Sequence, residues 1–110
     1  MKRNAPITIV ENDAALLYEG KAPPGAAMFT RDHGDSADEP PRGLIFGCPC
    51  GCGQVGGVNF EGRGRQGPGW TVEGSWPNAS LRPSIGFYGQ NRDGTFHWHG
   101  YLTNGVFEEC

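Results

Sequence analysis

Leu44-Ile45-Phe46-Gly47-Cys48-Pro49-Cys50-Gly51-Cys52-Gly53-Gln54-Val55-Gly56-Gly57-Val58-Asn59-Phe60 reads as a β-hairpin with three thiols at its tip. Leu44-Ile45-Phe46 is a short apolar strand, and residues 55–61 form the return strand, with Val58 and Phe60 alternating against Asn59 and Glu61. Between them, three cysteines stand at alternate positions. Side chains at i, i+2 and i+4 of an extended chain share a face. Pro49 fixes φ and removes a donor, and the intervening glycines let the chain curl until the sulfurs converge. Backbone N–H groups in such a turn stabilise thiolate charge. Cys48, Cys50 and Cys52 therefore read as metal ligands.

Three ligands leave a structural zinc one short. The fourth is sought in Phe96-His97-Trp98-His99-Gly100. On a regular strand over residues 95–102, His97, His99 and Tyr101 share one face, while Phe96, Trp98, Gly100 and Leu102 share the core face. Either His99 or His97 completes the set, the other serving as an alternative or a hydrogen-bonded neighbour of the ligands. Thiolate and imidazole together select zinc over calcium or magnesium. Small Cys-x-Cys disulfide rings are strained. A Cys48–Cys110 bridge and four free thiols are the alternatives.

The rest of the chain supplies more strands. Residues 7–11, 26–30, 70–76, 81–88 and 106–108 carry β-branched, aromatic or alternating patterns. Residues 12–20 are ambiguous between a two-turn helix and a strand. Pro83 implies an edge or a kink. Asp93-Gly94 and Asn104-Gly105 are hairpin dipeptides. Residues 32–42 read as an exposed acidic loop, with His33 solvated and without an assigned role. The expected fold is mainly β, a small antiparallel sandwich or open barrel with a zinc-bound cysteine turn, as one domain over residues 1–110. Trp70 and Trp98 are expected in its core.

Composition narrows the function classes. Nineteen glycines and nine prolines approach low complexity, but the aromatics spread through the same half of the chain indicate many short strands. A core this small benefits from a metal staple. A net charge of −3 with no basic block argues against a nucleic-acid binder that relies on a basic face. No apolar segment resembles a signal peptide or a membrane span, so the expected location is the cytoplasm of the producing cell, where thiols stay reduced.

The ordered set Cys48-Pro49-Cys50-Gly51-Cys52-Gly53, Ser80-Leu81-Arg82-Pro83-Ser84-Ile85 and Trp98-His99-Gly100-Tyr101-Leu102-Thr103-Asn104-Gly105-Val106-Phe107 resembles a family of small proteins of unknown function from bacteriophages, prophages and bacteria. The resemblance covers residues 44–110. It implies a zinc-binding β-domain with Cys48, Cys50, Cys52 and His99 as ligands. Many members have a cysteine three positions before this histidine, where Phe96 stands here. Some carry the label ammonia monooxygenase, which a closed thiolate-rich site does not support.

The residues show no nucleophile–base pair by spacing alone. The leading expectation is a zinc-stabilised binding module, a phage or prophage accessory protein acting on a host or phage protein. One alternative is a zinc-dependent hydrolase with an open coordination position, with Glu61 or Glu73 near the metal. The other is a nucleic-acid-binding knuckle using Arg63, Arg65, Arg82 and Arg92.

Overall fold

The computed structural model describes residues 2–10, 21–36, 38–64, 69–87, 89, 94 and 97–110. Nine strands form two sheets, and no helix occurs among the described residues. They are β1 (Ala5–Pro6), β2 (Thr8–Ile9), β3 (Ala26–Thr30), β4 (Gly43–Gly47), β5 (Val55–Asn59), β6 (Thr71–Glu73), β7 (Ser80–Gly86), β8 (His99–Thr103) and β9 (Val106–Glu109). One sheet has the order β1-β9-β8-β7-β6 and the other β2-β3-β4-β5. All pairs are antiparallel except β2–β3, which is parallel. The ambiguous residues 12–20, and Glu11 before them, lie outside the described residues.

The chain changes sheets at Ile7. Its N–H donates to the Gly105 carbonyl of one sheet (2.8 Å), and the next N–H, that of Thr8, donates to the Gly25 carbonyl at the other (2.9 Å). On the opposite side the sheets meet at a Phe60–Trp70 bridge. The result is a sandwich pinned along both margins.

The core lies between the inner faces. Ala27, Leu44, Phe46 and Val58 come from one sheet, and Leu81, Ile85, Leu102 and Phe107 from the other, with Trp98 beside them. Phe46 stacks on Phe107 at 4.8 Å, and Trp98 meets Phe107 edge-on at 6.1 Å. Full burial of each large apolar side chain contributes roughly 1.5–3 kcal/mol. The Trp98 indole N–H does not go unpaired in this core, because it donates to the Arg3 carbonyl at 2.7 Å. The β8–β9 turn places Asn104 and Gly105 both at positive φ, as a two-residue hairpin of this type requires.

Gly100 illustrates how tightly β8 is held. A Cβ there would collide with the Glu108 carbonyl and come within 2.8 Å of the Trp98 ring. Gly100→Ala is expected to destabilise the fold by about 2 kcal/mol, as overpacking does, read as a shifted urea midpoint with an unchanged slope.

Two expectations change in detail. Pro83 marks a kink and not an edge, because β7 lies between β6 and β8. Between the pairs Leu81–Leu102 and Ile85–Gly100, Arg82, Pro83 and Ser84 face only Tyr101, so β7 bulges outward. The acidic loop is fastened. Arg42 at the entrance to β4 donates to Asp35 at 2.8 Å and lies 3.2 Å from Asp32, and its other arm bonds the Arg63 carbonyl. Arg63 in turn donates to the Pro40 carbonyl at 2.9 Å.

The hydrogen bond from Arg42, helped by the Asp32 N–H, lowers the Asp35 pKa from 3.8 to about 2. A depressed carboxylate pKa contributes to the fold above the ordinary value, and that contribution is lost as pH falls through the depressed one. The Asp32 N–H to Asp35 bond is therefore expected to open with a midpoint near pH 2, followed by the Asp32 amide shift in an NMR titration. In Arg42→Gln the same transition should move up toward pH 3.8.

Candidate functional site

The β4–β5 hairpin carries the cysteine turn as its sequence implies. Cys48 N–H donates to the Gln54 carbonyl at 2.8 Å and Gly51 N–H to the Cys48 carbonyl at 3.0 Å, with Gly51 and Gly53 both at positive φ. These bonds fold the turn so that its thiols face the start of β8. The ligand atoms of Cys48, Cys50, Cys52 and His97 all lie within 4.8 Å of one another. Cys48 Sγ is 3.3 Å from Cys50 Sγ, and Cys52 Sγ is 3.9 Å from His97 Nδ1. Donors at bonding distance from one tetrahedral zinc are about 3.3–3.8 Å apart. The four side chains thus fit a metal ion with little rearrangement. None of the four cysteines is in a disulfide, and Cys110 is exposed at the far end of β9.

His97 takes the place in this cluster that the resemblance implies for His99. The reason is where the strand begins. Regular alternation starts at His99, and His97 and Trp98 precede β8. His97 N–H donates to the Gly89 carbonyl (3.1 Å) and Phe87 N–H to the Trp98 carbonyl (2.8 Å). His97 and Trp98 are thus bonded to residues 89 and 87 just outside the regular strand. The His97 ring turns inward, buried beside Phe87 at a centroid distance of 6.2 Å.

The surroundings suit a cation held by thiolates. Cys48 is fully buried, and that burial pushes its thiol pKa well up, because a buried thiolate without a counter-cation is unfavourable. Arg3 donates to the His97 carbonyl at 3.1 Å. Its guanidinium pKa is raised, chiefly by hydrogen bonding to Glu109 and in smaller part by Cys50 and Cys48. A positive charge therefore stands beside the sulfurs.

His99 lies elsewhere. It is exposed on the outer face of the five-stranded sheet, and its Nε2 is 2.9 Å from Ser84 Oγ. Ser84 sits in the β7 bulge, which brings it opposite the first residue of β8. The His99 carbonyl accepts the Cys110 N–H at 2.9 Å, and His99 pairs with Gly86 in the ladder, so its backbone is held from both sides. Spacing alone did not reveal this pair. The signal available was that both residues fall inside the quoted motifs, Arg82-Pro83-Ser84 and Trp98-His99-Gly100.

Along the same face, a cavity of about 590 Å³ is lined by Lys2, Asn4, Arg82, Tyr101, Thr103 and Glu108, among others. Tyr101 and Arg82 each stand two residues along their strand from a member of the Ser84–His99 pair. The cavity therefore begins one side-chain repeat, roughly 7 Å, from it. Arg82 lies over the Tyr101 ring at 5.0 Å and donates to the Leu102 carbonyl and Thr103 Oγ1.

Other candidates are placed differently. Glu61 accepts from Thr71 Oγ1, and Glu61 and Glu73 are both exposed, outside the thiol cluster. Arg63 and Arg82 are engaged in hydrogen bonds within the fold, while Arg65 and Arg92 lie outside the described residues. His33 is exposed. No helix among the described residues is long and apolar enough to cross a membrane.

Residues 18–110 match the family model described as bacterial ubiquitination-like system serine protease (BubE). No curated protein and no solved structure matches the chain. The chain belongs to the BubE family.

Proposed function

We propose that this BubE-family chain is a zinc-stapled serine hydrolase that cleaves an acyl bond in a polypeptide of a bacterial ubiquitination-like system, with Ser84 as nucleophile and His99 as general base. The observation that carries the reading is the 2.9 Å contact between Ser84 Oγ and His99 Nε2 on an exposed sheet face. Elimination supports it. Of the chain's four serines, Ser36 accepts from Asp38 N–H, Ser80 is buried and accepts from Asn104 N–H, and Ser75 is exposed in a turn. Of its three histidines, His33 is in the acidic loop and His97 is in the thiol cluster. Ser84 and His99 are the serine and histidine that meet among the described residues, and a hydroxyl nucleophile needs such a base.

The chemistry follows from that contact. His99 Nε2 takes the Oγ proton as Ser84 Oγ bonds to the substrate carbonyl carbon. Collapse of the tetrahedral species breaks the bond to the leaving group, which departs with the proton returned by His99. Water, deprotonated by the same imidazole, then hydrolyses the acyl-Ser84 ester. The adjoining cavity seats the residues flanking the cleaved bond.

Zinc belongs to the fold and not to this reaction. Three thiolates and one imidazole fill a tetrahedral shell and leave no position for a reactive water, which disfavours the open-site metalloenzyme alternative. A zinc held by Cys48, Cys50, Cys52 and His97 would tie the β4–β5 hairpin to the entrance of β8, two residues before His99. The protein partner expected from sequence is, in this reading, that polypeptide substrate.

A fluorophosphonate, which phosphonylates activated serines, tests the reading. The expected adduct lies on the peptide containing Ser84 and is absent in His99→Ala. No adduct on the folded, metal-loaded protein, or an adduct on another serine, overturns it and favours a non-catalytic binding module.

A further inference from the structure

The Ser84 hydroxyl is held in place from a distance. The β7 bulge sets three residues against one, so the ladder to β8 lapses across Arg82, Pro83 and Ser84. Pro83 has no N–H to restore it. Two side chains bond the slack segment instead. Arg82 ties its N-terminal end to Leu81, Leu102 and Thr103. At the other end, the Trp70 indole N–H is shared between the Pro83 carbonyl at 3.1 Å and the Ser84 carbonyl at 3.3 Å.

These two carbonyls belong to the two peptide planes that meet at the Ser84 Cα. Each peptide unit is planar, so the orientations of the two planes are the φ and ψ of Ser84. One donor fixed against both carbonyls sets the backbone, and the backbone sets where Oγ points. The donor is itself anchored, since Trp70 N–H donates to the Asn59 carbonyl at 2.8 Å and its own carbonyl accepts the Glu61 N–H at 2.9 Å. Trp70 stands at the seam between the sheets, so the arm reaches the bulge from a point whose backbone is bonded on both sides.

We propose that Trp70 is a positioning residue for the Ser84 nucleophile, acting through its indole N–H and not through its bulk. This rests on the assignment of Ser84 and His99 given above. It assigns Trp70 a task beyond the core packing expected from sequence. A nucleophile misaimed by an ångström or less loses rate steeply, while binding at the neighbouring cavity is untouched.

The test is the kinetics of fluorophosphonate labelling of the full chain. Two variants remove the donor: Trp70→Phe, which keeps a single aromatic ring, and Trp70 replaced by β-(3-benzothienyl)alanine, an isostere that keeps the bicycle with sulfur in place of the N–H. Trp76→Phe is the packing control, since Trp76 stacks on Phe60, meets Phe29 edge-on and has no bond to the bulge among the described residues. Both donor-less variants are expected to lower the maximal labelling rate about tenfold, with an unchanged half-saturating reagent concentration and an unchanged melting temperature for the isostere. Trp76→Phe should label at the wild-type rate. If the isostere labels as fast as wild type, the positioning role is overturned and the Ser84–His99 assignment stands. If the wild-type protein itself is not labelled, the hydrolase reading fails first and takes this role with it.

Discussion

Ser84→Ala is expected to lower turnover of an activated acyl ester by about 10³-fold or more, with little change in melting temperature. The size follows from removing the atom that forms the covalent bond. The small effect on stability follows from its place. Ser84 is only partly buried, on an outward bulge, and its side chain bonds His99 and not the core. His99→Ala should give a loss of the same order, and the double variant should lose no more than the larger single one, because the two side chains act as a unit. His99→Ala should also keep its full metal content, since the thiol cluster is built with His97. Retained turnover in Ser84→Ala would rule out this nucleophile. Loss of metal in His99→Ala would restore the ligand set that the family resemblance implies.

Disrupting the metal cluster is expected to unfold the protein where Ser84→Ala leaves it intact. Wild-type protein should carry one zinc per chain by elemental analysis. Cys48→Ser and His97→Ala should each lose it and lower the melting temperature by about 10 °C or more, corresponding to several kcal/mol of metal-linked folding energy. Cys48 is the strictest position, because it is fully buried and a serine there would be left without a cation. A strong chelator should act on wild type as these variants do. Cys110→Ser should be mild, because Cys110 is exposed and lies outside the cluster. Activity should fall with metal content, since the cluster fixes the chain just before His99. A fully stable protein without bound metal would contradict this reading.

The two predictions separate the adjacent histidines of one short segment, and sequence could not do so. The thiol turn was legible because its geometry is local, with Pro49, Gly51 and Gly53 shaping six consecutive residues. The strands were legible because alternation and hairpin dipeptides such as Asn104-Gly105 report pairing over a few residues. The choice between His97 and His99 depended on where β8 becomes regular. That point is set by the bond from the Phe87 N–H, by the bond that the Gly89 carbonyl accepts and by burial against Phe87. A period-two pattern assumes a strand that is regular throughout, and so it placed both histidines on one face.

The Ser84–His99 pair lies further still from what sequence carries. The two residues are 15 apart, on neighbouring strands whose register slips at the bulge. No spacing rule reports such a slip. The fastening of the acidic loop by Arg42 and Arg63 is similar, because it joins residues 32–42 to a turn some twenty residues further on. By itself, the sequence determined the β class, the hairpins and the convergence of three thiols, because each is decided by neighbours along the chain. Only the tertiary structure decided which histidine meets those thiols and which one meets a serine, because both depend on strand register and on which backbone groups across the sheet accept the chain's hydrogen bonds.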